Sequence, residues 1–218
     1  MIFNRDILFL HYPKTAGMML TSELLLKLKG RTTYSLPRSH SSPKEKLYSL
    51  FGKVRIVEGK RHENLAEAEI LLQQVERKKL QDFNLIFMVI RNPYDYEVSL
   101  YSYLRNNEKH QGQFAKLARL HDFENYLALT KAQFPLLPYV LHQGRKPNNM
   151  ELIKYEELNT NLNSLLKDYI YTNLKFNNIV NASARKDYRS YVNKSRVERM
   201  IYNRNKYLFD EGYYRRII

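Results

Sequence analysis

Residues 84–90, with the sequence NLIFMVI, form the most apolar run in the chain and constrain its fold most strongly. The run falls far short of the roughly 20 residues that a membrane-spanning helix needs. A short apolar run without polar alternation is typical of a strand that is buried on both faces of a parallel sheet. We therefore predict that these residues form the central strand of an α/β domain.

Other segments predict further strands and the helices between them. Strands are expected at residues 7–12, 54–58 and 150–153. Helices are expected at residues 18–29, 43–51, 63–80, 93–104, 114–130, 133–142, 158–171 and 195–209, and loops at residues 31–42 and 175–187. Ser195 and Glu198 are typical of a capping box at the start of the last helix. The alternation predicts a parallel sheet in a single α/β domain, residues 1–218.

The charge and residue types of the chain exclude several kinds of site. The chain has 36 Lys and Arg against 22 Asp and Glu, a formal net charge of +14, and no Cys. Without Cys it has no disulfide, Cys-ligated zinc site or thiol nucleophile. The positive charge suits nucleic acid, anionic lipid, a phosphorylated ligand, or solubility alone. No secretory signal or membrane-length apolar run is visible, so we expect a cytoplasmic protein that handles anions.

Residues 11–17, HYPKTAG, lie between the first predicted strand and the first predicted helix. A loop in this position presents backbone N–H groups and the positive end of the helix dipole, which suits a phosphate or sulfate. Lys14 adds a mobile charge, Thr15 a hydroxyl, and Gly17 permits close approach of the backbone. The segment is not a Walker A loop, which needs G-x-x-x-x-G-K-[ST]. The alternative is a polar turn without a ligand.

Arg91 and Ser99 form a second candidate anion site. Arg91 follows the central strand at its carboxyl end, where ligands of open α/β sheets bind. Ser99 lies eight residues further on, about two helical turns along, so its hydroxyl and the Arg91 guanidinium can meet at one anion. The alternative is that each side chain is solvated and acts separately.

The two motifs, in this order, resemble those of sulfotransferases that use 3′-phosphoadenosine 5′-phosphosulfate, especially the carbohydrate sulfotransferase branch. Residues 7–20, ILFLHYPKTAGMML, are similar to the family's 5′-phosphosulfate loop, and residues 88–103, MVIRNPYDYEVSLYSY, to its 3′-phosphate motif. Residues 149–158, NMELIKYEEL, resemble its late strand and turn. Residues 181–191, NASARKDYRSY, resemble the loop before its last helix. The resemblance extends over nearly the whole chain.

The resemblance implies a three-layer α/β/α fold of the P-loop nucleotide-binding type, with adenosine 3′,5′-bisphosphate as product and no metal. It assigns the 5′-phosphosulfate to Lys14, Thr15, Ala16, Gly17, Met18 and Met19, the 3′-phosphate to Arg91 and Ser99, and closure over the nucleotide to Ser183 and Arg185. Lys14 is also implied to be catalytic, because it neutralises the leaving phosphate oxygen. Met18 and Met19 replace the usual Thr and Ser of relatives, so we expect a weaker or reshaped grip on the donor.

The acceptor base is implied to follow the second predicted strand, within residues 58–62, EGKRH. Lys60 stands where the 2-O type of relative usually carries a His. Glu58 is the first candidate, because other branches place a Glu near this point. His62 is the second, since a neutral imidazole can take up a proton near neutral pH. The alternatives are a salt bridge for Glu58 and a surface position for His62.

The expected partner is a hydroxyl-bearing acceptor, a carbohydrate by resemblance, and no nucleic acid is expected. Two other functions stay open. A P-loop nucleotide kinase or related phosphotransferase shares the architecture, but it needs a Walker lysine context and an Asp for magnesium that we cannot place. A basic nucleic-acid-binding module is the other, because residues 185–216 are basic and rich in Tyr.

Overall fold

A computed structural model of the chain describes residues 1–37, 52–176 and 185–217. Within these residues, six strands form one sheet. The strands are β1 (Ile2–Phe3), β2 (Ile7–Leu10), β3 (Thr32–Leu36), β4 (Val54–Glu58), β5 (Leu85–Ile90) and β6 (Met150–Lys154). The predicted α/β class is confirmed, with this sheet at the centre.

The strands lie in the order β4-β3-β1-β2-β5-β6. The two-residue β1 runs antiparallel to both of its neighbours, β2 and β3. The other pairs, β2 with β5, β3 with β4, and β5 with β6, are parallel. All strands except β1 therefore point the same way, and their carboxyl ends lie at one edge of the sheet. The predicted parallel sheet is confirmed, with one short antiparallel strand that the sequence pattern did not reveal.

Strand β5 is buried along its whole length. It pairs with β2 on one side and with β6 on the other, and the side chains of Ile86 through Ile90 have no exposed surface. Because both faces of the strand are buried, its sequence does not alternate between apolar and polar residues. This confirms the buried parallel strand predicted at residues 84–90, but the strand order places it next to the edge strand β6 and not at the centre of the sheet.

Helices fill most of the connections between strands. The α-helices are α1 (Gly17–Lys27), α2 (Leu65–Glu76), α3 (Pro93–Asn106), α4 (Gln113–Leu120), α5 (Phe123–Leu129), α6 (Leu137–Val140), α7 (Asn163–Leu166), α8 (Ser195–Arg204) and α9 (Lys206–Asp210). Short 3-10 turns occupy Leu80–Asp82, Tyr155–Glu157 and Tyr188–Ser190, and Leu158–Leu162 is a π-helix. In the described part of the chain, every helix is too short or too polar to cross a membrane.

The chain divides into two compact units. The first comprises Met1–Ile90 and Pro138–Val180 and contains the sheet, and the second comprises Arg91–Leu137 and Asn181–Ile218. The single domain expected over residues 1–218 stays a prediction. The predicted helix at residues 43–51 lies outside the described residues.

The core of the first unit lies against one face of the sheet. Alternate residues of the strands and leucines at helical spacing contribute to it. Its members include Ile7, Phe9, Leu85, Phe87 and Val89 of the strands, Leu20, Leu24 and Leu25 of α1, and Leu158, Leu162 and Leu166 of the segment that follows β6. This packing holds α1 against the sheet directly after the loop that precedes the helix.

The second unit is built around α3, whose predicted start is confirmed. The Asn92 side chain accepts hydrogen bonds from the backbone N–H groups of Tyr94 and Asp95, at 3.0 and 3.5 Å. Pro93 is the first helical residue, where its missing N–H costs nothing. Asn followed by Pro is typical of a helix start, and here the pair forms a real cap.

A buried ion pair connects three helices of the second unit. The Glu97 carboxylate of α3 accepts hydrogen bonds from Arg204 at 3.3 Å and from Asn205 at 3.2 Å. Arg204, at the end of α8, also donates to the backbone carbonyls of Leu127 and Thr130, both at 2.6 Å, at the end of α5. Burial raises the pKa of Glu97, and the Arg204 charge opposes that rise. The carboxylate therefore depends on Arg204 for its charge compensation.

The loop predicted at residues 31–42 is wrong where the structure has strand β3, Thr32–Leu36. All five residues of β3 are buried, and they pair with β1 on one side and β4 on the other. Thr32, Thr33 and Tyr34 are β-branched or aromatic, which suits a strand. Their hydroxyl groups made the segment look polar, and this concealed the strand.

Several predicted helices are shorter or broken. Residues 114–130 form two helices, because Asp122 ends the first and caps α5 by accepting a bond from the Asn125 N–H at 2.8 Å. Of residues 133–142, only Leu137–Val140 is helical, which agrees with the prolines at positions 135 and 138. Residues 158–171 begin as a π-helix, and their α-helical part ends at Leu166.

The capping box predicted at Ser195 and Glu198 is wrong. Ser195 is the first residue inside α8, its N-cap is Lys194, and no side chain caps the helix. Glu198 is buried and accepts bonds from Arg216, at 2.6 and 2.8 Å, and from the Tyr94 hydroxyl, at 2.9 Å. The Arg216 guanidinium, and not the backbone at the helix start, therefore binds the Glu198 carboxylate. This contact lowers the pKa of Glu198.

Replacing Arg204 is expected to destabilise the second unit strongly. Arg204→Met leaves the buried Glu97 carboxylate without its cation, which should lower the free energy of unfolding by about 3–5 kcal/mol. Because burial raises the Glu97 pKa, protonation at lower pH removes the uncompensated charge, so the loss should be smaller at pH 5 than at pH 8. Urea denaturation followed by circular dichroism measures both effects.

Lys206→Met is the matched control. The Lys206 ammonium is exposed and lies 3.8 Å from the Asp210 carboxylate. An exposed pair of this kind contributes at most about 1 kcal/mol. Equal destabilisation by the two variants, or a loss in Arg204→Met that does not change with pH, would contradict the assignment.

Candidate functional site

Two segments of the first unit carry most of the predicted site residues. Residues 11–17 continue from the carboxyl end of β2, and residues 59–62 continue from the carboxyl end of β4. Since β2 and β4 point the same way, both segments leave the sheet at one edge. This is the edge at which ligands of open α/β sheets bind.

The loop before α1 has a tightly turned backbone. Lys14 and Ala16 both have a φ of 62°, in the left-handed region that non-glycine residues seldom adopt. Ala16 is the N-cap of α1, and no side chain caps this helix start. The first intrahelical bond runs from the Leu20 N–H to the Ala16 carbonyl at 3.1 Å. The N–H groups of residues 17–19 therefore lack helical partners, as expected for an anion-binding helix start.

Thr15 stabilises the loop from within. Its side chain is buried, and its hydroxyl donates to the Tyr12 carbonyl at 2.7 Å. The hydroxyl proton is thereby committed to the fold of the loop. The hydroxyl oxygen keeps lone pairs, but a further donated hydrogen bond from Thr15 to a ligand needs this contact to break.

Gly17 is required by the position of His11. A Cβ atom on Gly17 would lie 1.8 Å from both Cδ2 and Nε2 of the His11 ring, far inside any contact distance. His11 itself is 4% exposed, at the end of β2. The absence of a side chain at position 17 thus lets the imidazole lie directly against the first turn of α1.

His62 contacts His11 and has a defined tautomer. The two rings are 4.4 Å apart between centroids, and Nδ1 of His62 lies 2.8 Å from the His11 backbone oxygen. A carbonyl oxygen only accepts, so Nδ1 of His62 carries the proton and donates. In the neutral ring, Nε2 is then the basic nitrogen. The Tyr139 hydroxyl donates to the His62 carbonyl at 3.0 Å and holds the backbone there.

Both imidazoles are held in the neutral form. Burial, followed by the nearby His62, holds the pKa of His11 well below its usual value. Burial is also the main cause that lowers the pKa of His62, while its bond to the His11 carbonyl opposes the shift. The positive charge of Arg61 lowers both pKa values further. His62 is therefore an uncharged base at neutral pH.

The remaining candidates after β4 have different surroundings. Glu58 is exposed at the end of this edge strand. Lys60 is exposed and pairs with Glu67 at 2.6 Å, which raises the Lys60 pKa. Glu63 is buried and binds the Met1 amino group at 2.7 Å and the Ser35 hydroxyl. Of these residues, Glu63 was not singled out from the sequence, because its partners are distant along the chain.

The second unit brings together the residues predicted for a 3′-phosphate. Arg91 donates to the Ser99 hydroxyl at 3.3 Å and, through Nε, to the Asp95 carboxylate at 2.6 Å. Arg185 binds the other oxygen of the same carboxylate. The side chains of Arg91 and Arg185 are each 13% exposed. Ser183, predicted beside Arg185, lies outside the described residues.

Asp95 is the member of this cluster whose role the sequence analysis missed. Its spacing of four residues from Arg91, which lies two residues before α3, was the available signal. The second contact, to Arg185, spans 90 positions and has no local signal. Asp95 holds two guanidinium groups side by side, and the cluster of two arginines and one carboxylate keeps a net positive charge.

Met18 and Met19 lie in the first turn of α1, where the sulfotransferases that the motifs resemble usually carry Thr and Ser. Met18 is 36% exposed on the first turn of α1. Its Sδ atom accepts from Nη1 of Arg61 at 3.3 Å. Sequence reasoning did not single out Arg61, because nothing in the local pattern connects positions 18 and 61.

A cavity of about 840 Å³ lies elsewhere in the first unit. Its lining includes Leu80 and Asn149, which precede β5 and β6, and Glu69 and His142, which pair at 3.0 Å. Because Leu80 and Asn149 precede the amino ends of β5 and β6, the cavity is at the opposite edge of the sheet from residues 11–17. Among the residues that the structure describes, no three His, Asp or Glu side chains are grouped to hold a metal ion.

Comparisons with known proteins find distant likenesses among solved structures. No family model matches the chain, and no curated protein matches it. Among solved structures, the chain is similar to mouse sulfotransferase SULT7A1 complexed with PAP, with 20% identity and a TM-score of 0.44. The likeness covers 75% of this chain and 56% of that chain, so this chain spans little more than half of its length.

Proposed function

We propose that the protein transfers a sulfuryl group from 3′-phosphoadenosine 5′-phosphosulfate to the hydroxyl of an acceptor, a carbohydrate by the resemblance of its motifs. One observation carries the proposal. Arg91, Ser99 and Arg185, which the sequence motifs assign to the nucleotide, belong to one cluster around Asp95. If the motifs matched only by chance, there would be no reason for these residues to lie together.

The loop before α1 suits the 5′ side of the donor. The bound donor supplies an activated sulfuryl group, and negative charge builds on its phosphate oxygen as transfer proceeds. Lys14 neutralises this charge, and the N–H groups of residues 17–19 point toward an anion at the helix start. The turned backbone at Lys14 and Ala16 orients these donors in advance, so little reorganisation is needed during the reaction.

The Arg91 cluster suits the 3′-phosphate. A phosphate dianion accepts hydrogen bonds from guanidinium groups in a bidentate manner. Asp95 already holds the guanidinium groups of Arg91 and Arg185 in fixed positions, which lowers the entropy lost when a phosphate binds. The Ser99 hydroxyl, beside Arg91, supplies a further donor. The two positive charges exceed the single carboxylate, as an anion site requires.

His62 is the better supported acceptor base. Nε2 of its neutral ring carries the lone pair, and Nδ1 is anchored on the His11 carbonyl at 2.8 Å. Base catalysis needs the neutral imidazole, and burial lowers the His62 pKa in that direction. Glu58, the first candidate from the sequence, is exposed at the end of β4. We therefore propose that His62 takes the acceptor proton.

Adenosine 3′,5′-bisphosphate is expected to bind the protein, and binding should depend on Lys14 and on Arg91. Lys14→Ala and Arg91→Ala each remove a charge-assisted contact, which should weaken binding by about 10- to 100-fold. Isothermal titration calorimetry measures the dissociation constants. The matched controls are Lys131→Ala and Arg196→Ala, which remove exposed cations in other places and should leave binding unchanged. No detectable binding by the unaltered protein would end the proposal.

His62→Gln is expected to remove transfer while donor binding remains. The lost base should slow sulfuryl transfer by about 10²- to 10⁴-fold. Transfer by the unaltered protein should fall only as pH drops through the lowered His62 pKa, below the usual value near 6.5, because protonation of Nε2 removes the base. Release of adenosine 3′,5′-bisphosphate from the donor, with a panel of neutral and uronic acid oligosaccharides as acceptors, measures the rate.

Glu58→Gln is the comparison for the base assignment. It should change the rate by only a few-fold, since the carboxylate is exposed at the end of β4. A large loss in Glu58→Gln with little change in His62→Gln would transfer the role to Glu58. Equal bisphosphate affinity in both variants shows that the rates report the chemical step.

A further inference from the structure

Arg61 lies beside the start of α1, although the sequence motifs assign no role to it. Its Nη1 atom is 3.3 Å from Sδ of Met18, the second residue of the helix. A thioether sulfur is a weak hydrogen-bond acceptor. The guanidinium therefore faces the first turn of α1 with a contact that leaves much of its donor capacity unused.

The Nε–H group of Arg61 makes this clearer. Its nitrogen is buried and has no hydrogen-bond partner among the described residues. Leaving a buried donor of a charged group unsatisfied is costly, and in native structures a water, an ion or a ligand usually satisfies it. Among the described residues, the Arg61 guanidinium is therefore held by no strong acceptor.

The surroundings of Arg61 contain little negative charge to compensate it. His11 and His62 are neutral, and the Arg61 charge is close enough to lower the pKa of each. Glu63, two positions away, is committed to the Met1 amino group and the Ser35 hydroxyl. The cation thus lies among uncharged rings and the positive end of a helix dipole, an arrangement that an anion stabilises.

We propose that Arg61 is a donor-binding residue, which hydrogen-bonds the anionic group at the 5′ side of the nucleotide next to the first turn of α1. Met18 and Met19 have no hydroxyl to offer that group, and the Arg61 fork supplies the missing donors. This inference rests on the proposed function and adds a residue to its binding site.

The test compares two nucleotides in calorimetry. Arg61→Met should weaken the binding of adenosine 3′,5′-bisphosphate by about 10- to 100-fold, since it loses a charge-assisted contact. The same variant should bind adenosine 3′-phosphate, which lacks the 5′ group, as well as the unaltered protein does. Arg55→Met is the matched control, because Arg55 is 44% exposed and pairs with Glu76 on the surface.

Two further variants keep the inference testable if Arg61→Met folds poorly. Arg61→Lys keeps the charge without the planar fork and should give an intermediate affinity. Met18→Thr restores a hydroxyl at the helix start, so the effect of Arg61→Lys on affinity should be smaller in that background.

The outcomes separate this inference from the proposed function. If the unaltered protein binds neither nucleotide, the proposed function fails. If it binds the bisphosphate and the Arg61 variants bind it equally well, Arg61 has no role, while the proposed function stands. Equal weakening of both nucleotides would show that Arg61 acts on the fold of the loop, and this would also overturn the inference.

Discussion

The parallel pairing of β2 with β5 determines where the chemistry of the first unit can lie. Leu10 is opposite Met88, so the two strands end close together at the same edge of the sheet. All six residues of β5 are buried, so its pairing with β2 lies in the interior of the first unit. The loop of residues 11–17 starts where β2 ends, and packing of the α1 leucines on the sheet holds the far end of that loop.

Steric and hydrogen-bond contacts connect this part of the sheet with Nε2 of His62. The missing side chain at Gly17 allows the His11 ring to lie against α1, which fixes the backbone at the end of β2. The His11 carbonyl then anchors Nδ1 of His62, and this leaves the lone pair on Nε2. Burial keeps the ring neutral. A backbone carbonyl in one segment thus sets the tautomer of a side chain that is distant in sequence.

The sequence correctly predicted those features that depend on residues close together along the chain. The apolar run of β5, the Asn92 cap of α3 and the meeting of Arg91 with Ser99 all follow from spacing along the chain. The errors occurred where distant residues decide. Strand β3 is polar in composition, and its neighbours bury it. Glu198 looked like a cap, yet Arg216 and Tyr94 claim it. The roles of Asp95 and Arg61 depend on partners 90 and 43 positions away.

The net charge of +14 acquires a clearer meaning when the buried carboxylates are considered. Among the described residues, Glu63, Glu97 and Glu198 are buried, and each is paired with one cation. These pairs are neutral and contribute structure. The Arg91 cluster differs, because two arginines share one carboxylate. Arg61 differs again, because it contacts a thioether in place of a carboxylate. The proposed anion sites therefore differ from the structural pairs in having a cation in excess of the neighbouring carboxylates.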